Sequence, residues 1–161
     1  MDEKDNRPAA AFVIWVDADA CPREVRDLLE LTAVRRKVRT IFVANSYMST
    51  FASDYIGFEL VAKGADKADD YIVEQASGCD MAITGDIPLA ARLVENDIYV
   101  LNPRGEEMTA ATIGERLAMR NLMEELRGAG LAAGGPKELD KGDMQRFANA
   151  LDRAVTKRLK A

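Results

Sequence analysis

Short, fully apolar runs alternate with helix-forming segments between residues 12 and 101, and this alternation leaves few folds open to the chain. Phe12-Val13-Ile14-Trp15-Val16 is apolar at every position and rich in β-branched and aromatic side chains, which suits a strand covered on both faces. Further strands are expected at 40–44, 58–62, 81–84 and 98–101. Between them the spacing predicts a helix from Pro22 carrying Val25, Leu28, Leu29 and Leu31-Thr32, a short helix after Asp66 with Ala68, Tyr71, Ile72 and Ala76, and a third over 88–95. Residues 45–57 show no helical period and read as a loop. Strands separated by helices require right-handed crossovers, so the fold class is α/β: a mainly parallel five-stranded sheet between layers of helices.

Beyond Asn102 the strands are expected to stop. A long helix over 109–127 would present Ile113, Leu117, Met119, Leu122, Met123 and Leu126 inward, and a last helix would run over about 142–159. Between them lies a glycine-rich link (Gly128, Gly130, Gly134, Gly135, Pro136). It follows a helix rather than a strand, and Pro136 stands where a P-loop needs lysine, so a hinge fits better than a nucleotide loop. Residues 1–10 read as a polar tail. With 161 residues, one domain over 1–161, with C-terminal helices (109–161) packed on its core, accounts for the whole chain.

The chain has no histidine. That removes Ser-His-Asp and Cys-His catalysis, HExxH zinc sites and histidine-ligated haem, and leaves carboxylates, Lys, Arg, Tyr, Ser/Thr, Cys or a bound ion. A net charge of −5 argues against an overall basic coat, although a local basic groove is compatible with it. Two cysteines, Cys21 and Cys79, make no disulfide framework, and both are expected as small buried apolar residues. The longest apolar run, residues 9–16, falls short of the ~18 residues of a membrane span. The acidic start (Asp2, Glu3, Asp5) is unlike a secretion signal, and a cytoplasmic location is expected.

Aspartates fall just past the strand ends: Asp17 and Asp19 after the first, Asp66 to Asp70 after the third, Asp86 after the fourth, with Asn102 after the fifth. In an open parallel sheet the functional crevice lies at those ends. Two carboxylate charges 5 Å apart repel by about 3 kcal/mol at an effective dielectric near 20, so a cluster calls for protons, basic partners or a cation. Oxygen donors without His or Cys favour Mg²⁺ or Mn²⁺, whose usual task is phosphoryl or phosphodiester chemistry. Asp66 and Asp86 also suit helix N-caps, with Asp69 at the capping-box position after Asp66. Asp17, ending a buried strand, needs a partner or an ion. Arg104, on the Asn102-Pro103-Arg104-Gly105 turn, could grip a phosphate or clamp an aspartate.

Five blocks in order carry a resemblance: Val16-Asp-Ala-Asp-Ala-Cys-Pro22, Gly64-Ala-Asp-Lys-Ala-Asp-Asp-Tyr-Ile-Val73, Ile83-Thr-Gly-Asp-Ile-Pro-Leu-Ala90, Leu101-Asn-Pro-Arg-Gly105 and Glu115-Arg-Leu-Ala-Met-Arg120. Over about residues 12–151 the chain resembles the YaiI/YqxD family of bacterial proteins, a family of uncharacterised function. More distantly it is similar to PIN-like and NYN ribonucleases. That likeness implies strand order 3-2-1-4-5 and a Mg²⁺ or Mn²⁺ site built by Asp17, Asp69 or Asp66, and Asp86, with Asp19 and Asp70 in support.

Three functions compete. The first is a metal-dependent ribonuclease with Asp17, Asp69 and Asp86 as catalytic acids. Lys63, Lys67, Arg92, Arg104 and Asn102 would then hold the phosphate backbone of an RNA partner, and Tyr47, Phe51 and Tyr55 would offer stacking surfaces. The second is a haloacid-dehalogenase-like phosphatase built on Asp17-x-Asp19. Against it, Cys21 replaces that superfamily's threonine, and no second acid lies four residues after Asp86. The third is a binding or assembly module on a PIN-like fold.

Overall fold

The computed structural model describes residues 12–64, 66–131 and 138–160. The expected polar tail at 1–10 and the Gly134-Gly135-Pro136 part of the link lie outside the described residues. Six strands form one sheet: β1 (Val13–Asp17), β2 (Arg39–Ala44), β3 (Ile56–Leu60), β4 (Met81–Ile83), β5 (Tyr99–Leu101) and β6 (Glu107–Met108), in the order β3-β2-β1-β4-β5-β6. The first five are mutually parallel. β1 lies centrally, with Ile14 opposite both Thr40 and Met81.

Alternate side chains of the strands feed two apolar layers, as the period of two requires. On one face Ile14, Val16, Phe42, Met81 and Ile83 meet Val25 and Leu29 of α1 (Arg23–Arg36) and Phe147, Leu151 and Val155 of α5 (Lys141–Leu159). On the other, Trp15, Val43, Ala82 and Val100 meet Ile72 of α2 (Lys67–Gln75) and Leu89 and Leu93 of α3 (Ile87–Glu95). At the sheet's opposite rim Asp80 is buried and accepts from Val13 N, Trp15 Nε1 and Ser77 N at 2.9–3.0 Å, fastening the start of β1.

The structure corrects the sequence expectation in four places. β3 starts at Ile56 rather than 58, because Ile56 and Gly57 already pair with Thr40 and Ile41. The strands do not stop at Asn102: the tight turn from Asn102 to Gly105 brings β6 back antiparallel on β5, with Asn102 N–H donating to Glu106 O. The long helix α4 (Ile113–Gly128) packs along α3 but buries none of its residues, and Met119, Leu122 and Met123 are exposed instead of facing inward. Cys21 is buried as expected, whereas Cys79 is exposed, in the turn before β4.

Gly105 fixes the seat of α5. Its φ is +85°, and a Cβ there would stand 2.5 Å from the Arg146 carbonyl carbon, so only glycine lets the turn touch the helix backbone. Arg104 Nη1 donates to Asp143 Oδ2 at 2.7 Å, Arg146 pairs with the same carboxylate, and Asp140 and Asp143 form a capping box. These contacts hold the Asp143 carboxyl below its ordinary range, the backbone N–H of Asp140 first among the causes.

Candidate metal centre

Asp17 is the last residue of β1, paired in register with Val43, and is 4% exposed. A single 3-10 turn (Ala18–Ala20) follows, which carries Asp19 out of line with Asp17. Asp86 caps α3: its Oδ1 accepts the Leu89 N–H at 3.1 Å, and Pro88 occupies the first turn, where its missing N–H costs nothing. Asp69 lies in the first turn of α2, which packs on the same face of the sheet as α3, over β1 and β2. One carboxylate oxygen from each of Asp17, Asp69 and Asp86 lies within 4.8 Å of the others.

Burial first, and proximity second, set the protonation of the acids. Burial raises the Asp17 pKa from 3.8 to about 7; the Thr84 hydrogen bond opposes this, and the charges of Asp69, Asp86 and Asp19 add to it. Asp69 rises to about 6, again chiefly through burial, with Asp86 and Asp66 adding and Arg92 opposing. Two carboxylate charges 4.8 Å apart repel by about 3.5 kcal/mol at an effective dielectric of 20. The cluster therefore retains protons that isolated aspartates would release.

Three oxygens from three elements fit a small hard cation. With Mg²⁺–oxygen distances near ~2.1 Å, octahedral ligands stand ~3 to ~4.2 Å apart, so the 4.8 Å envelope needs only slight side-chain adjustment. Carboxylates without sulfur or imidazole match Mg²⁺ or Mn²⁺ better than zinc. Cys21 takes no part: burial drives its thiol far above the ordinary range.

The remaining candidates sit around this centre. Asp19 is exposed, and its Oδ2 accepts the Asn45 N–H at 2.9 Å. Asp66 precedes α2 in a left-handed conformation (φ 65°), and its side chain does not cap; the capping box expected with Asp69 is not formed. Asp70 pairs with Arg92 at 2.9 Å. Lys63 and Lys67 are exposed on the approach to α2. Asn102 is buried and serves its own turn: Oδ1 accepts from Arg104 N and Glu106 N, and Nδ2 donates to Glu106 Oε1. Arg104 takes the aspartate-clamping alternative through Asp143.

Thr84 had no role in the sequence reading. Its hydroxyl donates to Asp17 Oδ2 at 2.7 Å and accepts the Asp86 N–H at 2.9 Å, tying two of the three acids together. The signal was its place at the end of β4, two residues before Asp86.

No solved structure matches the chain. Among curated proteins, one named UPF0178 protein from Citrifermentans bemidjiense is 52% identical over 144 residues, covering 89% of this chain and 94% of that relative. Namesakes from Dechloromonas aromatica (49%; 89% and 96% covered) and Myxococcus xanthus (48%; 91% and 96% covered) are similar to it as well. The profile described as "Uncharacterized BCR, YaiI/YqxD family" matches residues 15–157. With the profile spanning most of the sequence and relatives near half identity, the chain belongs to the YaiI/YqxD family.

Proposed function

We propose that this protein is a divalent-metal-dependent nuclease that hydrolyses phosphodiesters of single-stranded RNA. The observation that carries this reading is the convergence of Asp17, Asp69 and Asp86 at the carboxyl rim of the sheet. A bound Mg²⁺ or Mn²⁺ would supply Lewis acidity to a phosphate oxygen and make a nearby water more acidic. The chain's own residues supply the rest. Thr84 holds Asp17 in one rotamer, the α3 cap holds Asp86, and burial keeps Asp17 from being solvated by bulk water. Oδ2 of Asp19 is already engaged by the Asn45 N–H, which favours the nuclease over the phosphatase, whose acid needs its carboxyl free.

Metal titration followed by cleavage assays tests the reading. Mn²⁺ should raise the melting temperature of the wild type, with about 2.7 kcal/mol of stabilisation at 100 times its dissociation constant, and Asp17→Asn should abolish the rise. RNA cleavage should require the metal, stop with chelator, and vanish in Asp17→Asn and Asp86→Asn while both variants stay folded. Cleavage surviving in both variants would refute it.

A further inference from the structure

Two concavities flank α5, and their charges decide what each can hold. The larger, about 1160 Å³, opens between the start of α1, the turn at 102–105 and the start of α5. Arg23, Arg104 and Lys141 line it, but so do Glu24, Asp86, Glu138 and Asp140, so a polyanion gains nothing by entering. The smaller, about 390 Å³, lies on the other flank of the helix and reaches from Gly105 to Cys79. Arg153, Lys157 and Arg158 line it against one acid, Glu107.

The cations of this flank form a stripe. Arg146, Arg153, Lys157 and Lys160 follow one another at spacings that return to the same face of a helix, and all four are exposed. At ~1.5 Å per residue the stripe is ~21 Å long. Arg146 pairs with Asp143; no ion pair among the described residues neutralises Arg153, Lys157 or Lys160. The exposed acid of α5, Asp152, is turned to Arg36 of α1. Arg158 is held in place over the Tyr99 ring, 4.4 Å from its centroid, and donates to Cys79 O. Lys157, Arg158 and Lys160 would also complement the dipole of the last helical turn, but that role does not extend to Arg146 and Arg153. The Arg146 end of the stripe lies toward the acids' rim, since Gly105 touches the backbone of Arg146 and the same turn packs through Pro103 on Gly85, the neighbour of Asp86; from there the stripe runs toward Cys79 and Tyr99.

We propose that this face of α5 binds the sugar–phosphate backbone of a single-stranded nucleic acid, holding the strand whose reacting phosphate lies at the three acids. The inference rests on the nuclease reading for the identity of the polyanion. In a chain of net charge −5, such a stripe supplies affinity where the acidic crevice itself repels phosphates.

The test is fluorescence anisotropy of a labelled oligouridylate with the full chain in EDTA, so that binding is read apart from cleavage. Arg153→Glu/Lys157→Glu should weaken binding at least ~10-fold and make the slope of log affinity against log salt shallower by about 1.4, at ~0.7 for each lost phosphate contact. Both positions are exposed, and an unchanged Mn²⁺-induced melting shift would verify that the variant is folded. Equal affinity in the charge-reversal variant and the wild type would overturn the proposal, while metal-dependent cleavage by that variant would leave the nuclease reading standing. RNA binding lost in the variant, with no cleavage by the wild type, would support the stripe and sink the nuclease. Wild type that binds phosphatidylglycerol vesicles more tightly than RNA, or binds no RNA at low salt, would overturn the nucleic-acid assignment.

Discussion

The Thr84 hydroxyl donates to Asp17 Oδ2 at 2.7 Å across the β1–β4 seam, while Thr84 Oγ1 itself accepts the Asp86 N–H at 2.9 Å. With the hydroxyl donating to Oδ2, Oδ1 of Asp17 is the oxygen left for a proton or a cation, and a cation there would leave the Thr84 bond intact.

Thr84 acts on the centre as a positioning residue. Thr84→Val should weaken Mn²⁺ binding about 10- to 100-fold, the usual effect of removing an outer partner of a ligand, and Thr84→Ser should restore it. Isothermal titration calorimetry reads both. Unaltered affinity in Thr84→Val would show that Asp17 needs no such orientation.

The raised acids give metal-free stability a definite pH slope. Asp17 at about 7 and Asp69 at about 6 keep protons in the folded state that the unfolded chain, at 3.8, has already released. Stability in chelator should therefore fall as pH rises from about 4 to about 7, and then level off. Asp17 alone contributes up to about 4 kcal/mol to that fall, and the partly exposed Asp69 less. Urea titrations at about pH 5 and about pH 8 measure it. Saturating Mn²⁺ should flatten the slope, because the cation and not a proton then neutralises the cluster.

Gly105→Ala should destabilise the protein by more than about 2 kcal/mol, since it combines a strained φ with a backbone collision against α5. Gly114→Ala, with nothing within 4 Å of its added methyl, is the control and should be neutral or slightly stabilising. Thermal melts in chelator separate the two.

On α4, Leu122→Gln should change stability by less than about 0.5 kcal/mol, because Leu122 is 47% exposed. Leu89→Gln on α3, at a fully buried position, should cost several times more. Chemical denaturation of the pair checks the assignment of which helix faces the core.

The parallel sheet was legible because each strand buried on both faces is a nearly unbroken apolar run, as in Phe12 to Val16 and Met81 to Ile83. β6 was not, for a physical reason: two residues, Glu107 exposed and Met108 buried, carry no period, and their pairing is dictated by the turn before them. α4 misled because its stripe of Met119, Leu122 and Met123 has the spacing of a core face, and spacing does not say whether another element lies opposite. Position past strand ends located the acids Asp17 and Asp86. It could not choose between Asp66 and Asp69, since that depends on a left-handed residue at the start of α2. Thr84 escaped notice because its partners come from β1 and the α3 cap, a relation that exists once the sheet has formed.

The central place of β1 carries a consequence for the order in which the molecule is made. Asp17 and Thr84 are 67 residues apart in sequence, and joining segments so far apart costs about 4 kcal/mol of chain entropy before any contact rewards it. The acid cluster has no local precursor: β1 must first be zipped to β4, and α2 laid across, before three oxygens face one point. An ion arriving there would meet a finished protein. It would work as a latch on the completed fold, slowing its undoing while leaving the speed of its making almost untouched.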